Sequence, residues 1–409
     1  MDLSDSILHL AQAMSVRGGV LYVVGGSVRD HVMNRQAGDL DVEVHGLDAD
    51  TVAGILEEFG AAREVGRSFG VFKVRLAGRE VDVALPQSVP GGMGRPPVSD
   101  PHMGLEAAAA RRDLTINAMA YEILGRQVCD LHGGLVDIEA RMLREVSADS
   151  FLDDPLRPLR VVRFAALLEF DIAPSLQDLC RKGASLAGVP FERIRGELER
   201  ILLESSRPGR ALFWIGALDL GPAVFPGLPA LWSPAAEAAL DRAVSMRETL
   251  GDEGERLALM LAILLAPVSA EAAGHWMEWL HWNRVRGRSV RRQVVSMVLR
   301  LPELRAGTTD ARMRALADGI PLPIALLASA SLEPERAIDL DRAQSLGISS
   351  GPLPHLVNGR DLNRAGISPG ENLGRALEWV RARQCDGLLS SREEALAALR
   401  EAGWIPGEA

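Results

Sequence analysis

The apolar run Val20-Leu21-Tyr22-Val23-Val24 ends at Gly25-Gly26-Ser27-Val28-Arg29-Asp30, and Asp39-Leu40-Asp41-Val42-Glu43-Val44 follows a short interval later. This order constrains the fold more than any other feature of the chain. The first run reads as a buried strand, and the Gly-Gly pair as a tight turn into a helix that Ser27 can cap. The second segment alternates polar and apolar, as a half-buried strand does. Residues i and i+2 of a strand share a face, so Asp39 and Asp41 project together, roughly 6–7 Å apart along the backbone.

Each element has an ordinary explanation. A Gly-Gly turn is common, and Asp-x-Asp occurs on many solvated strand faces. Their ordered combination within 17 residues is more specific. Backbone N–H groups at the turn, together with Arg29, offer a place for a triphosphate. Two carboxylates this close repel each other unless a cation sits between them, and Mg²⁺, at about 2.0–2.1 Å from oxygen, suits them. A phosphate cradle beside a site for two Mg²⁺ ions is the equipment for nucleotidyl transfer. Asp82, in Glu80-Val81-Asp82-Val83-Ala84, has the alternation to face the same pair as a third carboxylate, although exposed strand faces carry such acids routinely.

At 409 residues the chain exceeds one ordinary domain. Aromatics make up only 4%, so Leu, Val and Ala must fill the cores, which favours helices. A net charge of −10 argues against indiscriminate nucleic-acid binding but leaves room for a local basic track. Cys129, Cys180 and Cys385 are scattered without a C-x-x-C pair, so neither structural zinc nor a disulfide framework is expected. That pattern fits a reducing cytoplasm, and no apolar run approaches the ~18 residues of a membrane span.

Strands are expected near 20–24, 39–44, 71–76 and 80–84, with helices near 4–15, 27–33 and 49–59. Gln87 to Met103 is rich in Gly and Pro and lacks periodicity, which predicts a mobile loop. Helical patterns dominate from about residue 105, among them a buried helix over Arg256–Leu265.

Three further segments carry a resemblance. They are Arg111-Arg112-Asp113-Leu114-Thr115-Ile116-Asn117-Ala118, Asp130-Leu131-His132-Gly133-Gly134, and Asp153-Asp154-Pro155-Leu156-Arg157-Pro158-Leu159-Arg160-Val161-Val162-Arg163-Phe164. With the Gly-Gly turn and the paired acids, over about residues 18–200, they closely resemble the class II tRNA nucleotidyltransferases and bacterial poly(A) polymerases of the polymerase-β superfamily. A weaker echo, Asn358-Gly359-Arg360-Asp361-Leu362 and Pro369-Gly370, is similar to the tail of compact CCA-adding enzymes.

The resemblance implies an α+β fold: a polymerase-β-like head (1–138) with a mixed sheet, then an all-helical neck (139–205), body (206–305) and tail (306–409), the tail binding tRNA. It implies Mg²⁺ on Asp39 and Asp41, CTP and ATP as substrates, and tRNA as partner. It also implies a nucleotide site made of Gly25, Gly26, Arg29, Arg112, Asp113, Asn117, Asp154, Arg157, Arg160 and Arg163. The chemistry is consistent. Arg112 and Asn117 are a charge and an amide suited to a triphosphate and a ribose hydroxyl, although Arg111-Arg112 can also be a solvated helix start. Asp154 could accept from an exocyclic amine and Arg157 donate to a ring acceptor, a pattern that C and A satisfy and G and U do not. Equally, Asp154-Pro155 is a good helix N-cap with proline following.

The segment after the strand 80–84 departs from the family. Relatives carry an Arg and a Glu there and then a basic loop, whereas here Arg95 is the only Lys or Arg between Gln87 and Leu105. The resemblance links that loop to the switch from C to A addition, so CCA, CC-only, A-only and poly(A) synthesis all stay open. A catalytically silent RNA-binding protein on the same fold is the alternative of another class. Arg284, Arg286, Arg288, Arg291 and Arg292, preceded by Trp276, Trp279 and Trp282, form the densest basic stretch. They suit RNA phosphates, and they suit equally a solvated helix face with tryptophans in the core.

Overall fold

The computed structural model describes residues 1, 3–35, 40–59, 63–64, 70–76, 78–88, 98–284, 287, 289–305 and 307–405. The expected loop therefore lies outside the described residues over 89–97, as do Asp39, Arg286 and Arg288. The chain divides into two compact units, Met1–Val189 with Ala217–Ala223, and Pro190–Gly216 with Val224–Ala409. The first boundary falls inside the segment expected as the neck.

The first unit is built on one mixed sheet. Its strands are β1 (Val20–Val24), β2 (Asp41–His45), β3 (Arg63–Glu64), β4 (Val71–Leu76) and β5 (Arg79–Ala84), then, after a small hairpin of β6 (Gln87–Ser88) and β7 (Val98–Ser99), β8 (Ala120–Glu122) and β9 (Gln127–Cys129). The order across the sheet is β3-β4-β5-β2-β1-β8-β9. Only β2 and β5 run parallel; the other pairs are antiparallel. Helices α1 (Asp5–Val16) and α3 (Ala49–Phe59) cover one face, where Leu10, Met14, Leu21, Val23, Val42, Val44, Leu56 and Phe72 form a buried core. Alternation along β2 sends Val42 and Val44 into that core, so Asp41, Glu43 and His45 take the other face.

Helix α2 (Gly26–Val32) starts at the Gly-Gly turn with Gly25 as its N-cap. Ser27 is buried within the helix and does not cap it, a correction to the expectation. Strands β8 and β9, which lie where helical patterns were expected to dominate, complete one side of the sheet. Helix α4 (Leu105–Ala109) leads into the Arg111–Asn117 segment, and α5 (Gly134–Glu139) holds that segment from beneath. A side-chain carbon on Gly134 would lie 2.5 Å from the Thr115 carbonyl oxygen, so only glycine permits the approach. Thr115 in turn donates to Asp137 at 2.7 Å. Helices α6 (Ala148–Leu152), α7 (Arg157–Leu168) and α8 (Pro174–Lys182) close the unit.

The second unit is helical. The expected buried helix is present at Glu253–Leu264, with every residue from Leu257 to Leu264 buried. Trp276 and Trp282 are also core residues, each with its indole N–H bonded, to the Val224 carbonyl at 3.0 Å and to Glu199 at 2.7 Å. Near the C-terminus Asn358 and Asp361 form a reciprocal capping box, which gives the Asn358–Leu362 motif a structural role. Among the described residues, no single helix is long and apolar enough to cross a membrane.

Candidate active site

Register places the acids. Asp41 at the start of β2 stands directly beside Asp82 of the parallel strand β5, and Lys73 of β4 stands on the other side of Asp82. The Lys73 ammonium reaches Glu80 at 2.8 Å and Asp82 at 3.0 Å, and these two bonds hold it protonated well above the usual lysine range. Asp41 is exposed, so it is open to a ligand from the face of the sheet opposite the core. Among the described residues no cluster of three or more His, Cys, Asp or Glu forms a metal site. Asp41 and Asp82, adjacent carboxylates on one sheet face, nevertheless have the hard oxygen donors that a divalent cation such as Mg²⁺ takes.

Beyond Asp41 the same strand face carries two polar residues that the sequence analysis passed over. Glu43 is buried, accepts from His45 at 2.8 Å, and pairs with Arg112 at 3.3 Å. The other imidazole nitrogen of His45 lies 3.0 Å from the Met103 carbonyl. Burial alone would push the Glu43 carboxyl up, but His45 and Arg112 outweigh it and hold it below the usual carboxylate range. Polar residues at every second position from 39 to 45 are the sequence signal for this row.

The Gly-Gly turn and the Arg111–Asn117 segment meet next to this row. Gly25 has φ +72° and ψ −139°, and a side-chain carbon there would lie 3.5 Å from an Arg112 Nη1. A side-chain carbon on Gly26 would lie 3.4 Å from Arg29 Nη2. Arg29 is itself buried, clamps Asp30 through Nε and Nη2 at 2.9 and 2.7 Å, and donates through Nη1 to Asn117 at 2.8 Å. Asn117 donates to Asp113 at 3.0 Å, and the other Asp113 oxygen receives Arg160 Nε and Nη2 at 2.9 and 2.7 Å. The guanidinium carbons of Arg29, Arg160 and Arg163 lie 5.2, 5.7 and 4.2 Å from the centre of the Phe164 ring. Six of the expected nucleotide residues are therefore tied together: Gly26, Arg29, Asp113, Asn117, Arg160 and Arg163.

Replacing Gly25 by alanine tests the turn. Its backbone sits where side-chain-bearing residues are strained, at a cost of about 1–3 kcal/mol. The added methyl makes only an ordinary contact with Arg112, so strain is the main effect. The expected result is a lowered Tm together with weaker nucleotide binding, followed by thermal melting and a CTP titration on one preparation. An unchanged Tm would mean that the turn tolerates a side chain.

The remaining expected residues are held differently. Arg157 donates to the Ser150 carbonyl and, at 2.8 Å, to the Arg111 carbonyl, so it fastens α7 to the arginine segment. Asp154 lies in the turn before α7 rather than at its N-cap, which is Leu156. One Asp154 oxygen accepts from the Leu156 N–H at 3.0 Å. In the second unit Arg284 and Arg292 are exposed, while Arg291 bonds the Gly274 carbonyl at 3.1 Å and Glu278 at 2.9 Å.

Residues 21–144 match the family described as the poly A polymerase head domain. The Multifunctional CCA protein of Stenotrophomonas maltophilia is 38% identical over 221 residues, 52% of this chain and 52% of that protein. The CCA-adding enzyme of Bacillus licheniformis is 35% identical over 216 residues, 52% of this chain and 53% of its own length. The chain thus spans about half the length of the curated relatives it matches. Of solved structures, the Bacillus stearothermophilus CCA-adding enzyme in complex with CTP superposes over 97% of both chains with a TM-score of 0.72 and 25% identity. The Thermotoga maritima CCA-adding enzyme complexed with tRNA_CCA shares the fold, with a TM-score of 0.73 and 22% identity over 98% of this chain and 96% of that one.

Proposed function

We propose that this chain, a member of the class II tRNA nucleotidyltransferase and poly(A) polymerase family, adds C, A or both to the 3′ end of tRNA from CTP and ATP without a nucleic-acid template. One observation carries the reading. The linked set Arg29–Asn117–Asp113–Arg160, with the Gly25-Gly26 turn and Arg112, adjoins two register-paired acids. Phosphate ligands beside carboxylates are what an in-line attack by a 3′-hydroxyl on the α-phosphorus requires, with pyrophosphate leaving. Fold similarity to enzymes described as binding CTP, ATP and tRNA supports the same reading.

Gly25, Gly26, Arg29 and Arg112 hold the triphosphate, and Asn117, fixed by Asp113, meets the ribose. Arg160 assists from α7, and Arg163 backs it through Phe164. Asp39 and Asp41 would hold Mg²⁺, with Asp82 beside Asp41 as the third carboxylate. A divalent cation bound there would offset charge on the attacking and leaving oxygens. Asp154 and Arg157 read the base. For Arg157 this means exchanging a backbone carbonyl for the ring acceptor of C or A. Arg284, Arg291 and Arg292, with Arg286 and Arg288, contact RNA phosphates. A cytoplasmic location fits the three free cysteines.

The test uses one tRNA in three forms, ending at the discriminator base, at C or at CC, each incubated with Mg²⁺ and CTP, ATP or both. Products are sized to one nucleotide. Growth of every form to CCA and no further makes this a complete CCA-adding enzyme. Arrest at CC, or reaction of the CC form alone, makes it half of a divided system. A long A ladder on any RNA indicates a poly(A) polymerase, and absence of any extension overturns the catalytic reading in favour of a silent RNA-binding protein.

A further inference from the structure

We infer that Glu43 is a positioning residue, aiming the Arg112 guanidinium at the phosphates of the bound nucleotide; this rests on the reading of Arg112 as a phosphate ligand. Glu43 is 8% exposed, and a buried carboxylate needs partners to be tolerated. It has two, on opposite sides. One oxygen lies 2.8 Å from His45 Nε2, and the Nδ1 of the same ring lies 3.0 Å from the Met103 carbonyl. The other oxygen receives Arg112 at 3.3 Å. The result is a continuous chain from the Met103 carbonyl through His45 and Glu43 to Arg112, ending beside Gly25.

Arg112 needs such a guide. Its side chain is 35% exposed and long, and an unanchored arginine of that kind samples many rotamers. Glu43 engages only one terminal nitrogen, Nη2. Nη1 is the nitrogen closest to the position of a Gly25 side chain, so it faces the turn that receives the phosphates. Glu43 lines a cleft of about 290 Å³ with Arg111, Arg112, Ala84 and Gln87. The strand that carries Asp41 thus also orients a phosphate ligand, two residues further along the same face.

The test is Glu43→Gln, which keeps the side chain's size and removes its charge, compared with Arg112→Ala and the double variant. Affinities for CTP and for CMP are measured by titration on the intact protein, with KM and kcat for CTP. Glu43→Gln is expected to weaken CTP by roughly tenfold, the loss of one charge-assisted contact. CMP binding and kcat at saturating CTP should stay near the unsubstituted values, because only the outer phosphates lose a ligand. Arg112→Ala should weaken CTP at least as much, and the double variant should be no worse than Arg112→Ala alone. Unchanged CTP affinity in Glu43→Gln, equal losses for CTP and CMP, or multiplying losses in the double variant would each overturn the inference. If Arg112→Ala itself leaves CTP affinity intact, the reading of Arg112 fails, and the inference with it, by a result distinct from the others. Should Glu43→Gln not fold, Glu43→Asp, which withdraws the carboxylate from Arg112 by one methylene, carries the same expectation.

Discussion

Asp41→Asn is expected to abolish nucleotide incorporation while leaving the fold intact. Asp41 is exposed at the first position of β2 and lends nothing to the core beneath the sheet, which is built from Val42, Val44 and their neighbours. Asparagine has the same shape, and a surface substitution of this kind usually shifts stability by no more than about 0.5 kcal/mol. The chemical loss is of another order. A neutral amide cannot replace a carboxylate where negative charge must be matched by a cation, and removing one preorganised electrostatic group typically costs about 10²–10³ in rate. Single-turnover incorporation of CTP, with thermal melting of the same preparation, separates the two effects. Near-normal turnover in Asp41→Asn would move the reaction centre away from the Asp41–Asp82 pair.

What was legible in the sequence was what local pattern encodes. The strands at 20–24 and 71–76 and the helix at 49–59 appear where hydrophobic alternation and periodicity put them. Strands β8 and β9, three residues each, are too short to show a period, and the turn between them depends on Arg126 at φ +52°. Their place in the sheet comes from β8 pairing with β1 and β9 with β8, which spacing does not reveal. The same limit applies to side chains. Spacing suggested that Asp154 and Arg157 act as a pair, but the partners of Arg157 are the backbone carbonyls of residues 46 and 7 positions away, at 111 and 150. Asp113 was expected only as part of a family motif. Its actual work, gripping Arg160 from 47 residues away, depends on tertiary packing.

That grip sets the second large effect. Asp113 is 6% exposed and accepts four bonds, from Arg160 Nε and Nη2, from the Asn117 amide at 3.0 Å and from the Leu114 N–H at 2.9 Å. Asp113→Ala removes the acceptor of all four bonds. Breaking a buried pair from one side costs about 3–5 kcal/mol. Against a typical net stability of about 5–15 kcal/mol, this is enough to threaten folding. The denaturation midpoint at pH 7 measures it, and a shift within error would mean that water or another acceptor takes over the four bonds. The sign of the pH dependence can be worked out from the carboxyl itself. Burial alone would raise its pKa, but Arg160 and Asn117 outweigh burial and hold it below the ordinary value. A carboxyl depressed in the fold contributes stability that is complete above its unfolded pKa of about 3.9 and lost as pH falls through the folded value. Asp113→Asn keeps the size and gives up the charge. The stability gap between the unsubstituted protein and Asp113→Asn should therefore be widest near neutral pH and close progressively below about pH 4. A gap that stays constant down to pH 3 would mean that Asp113 is not the charged partner of Arg160. Because Asn117 also positions Arg29, the same variant should bind CTP more weakly even where it is folded, which joins the stability of this buried chain to the nucleotide site it supports.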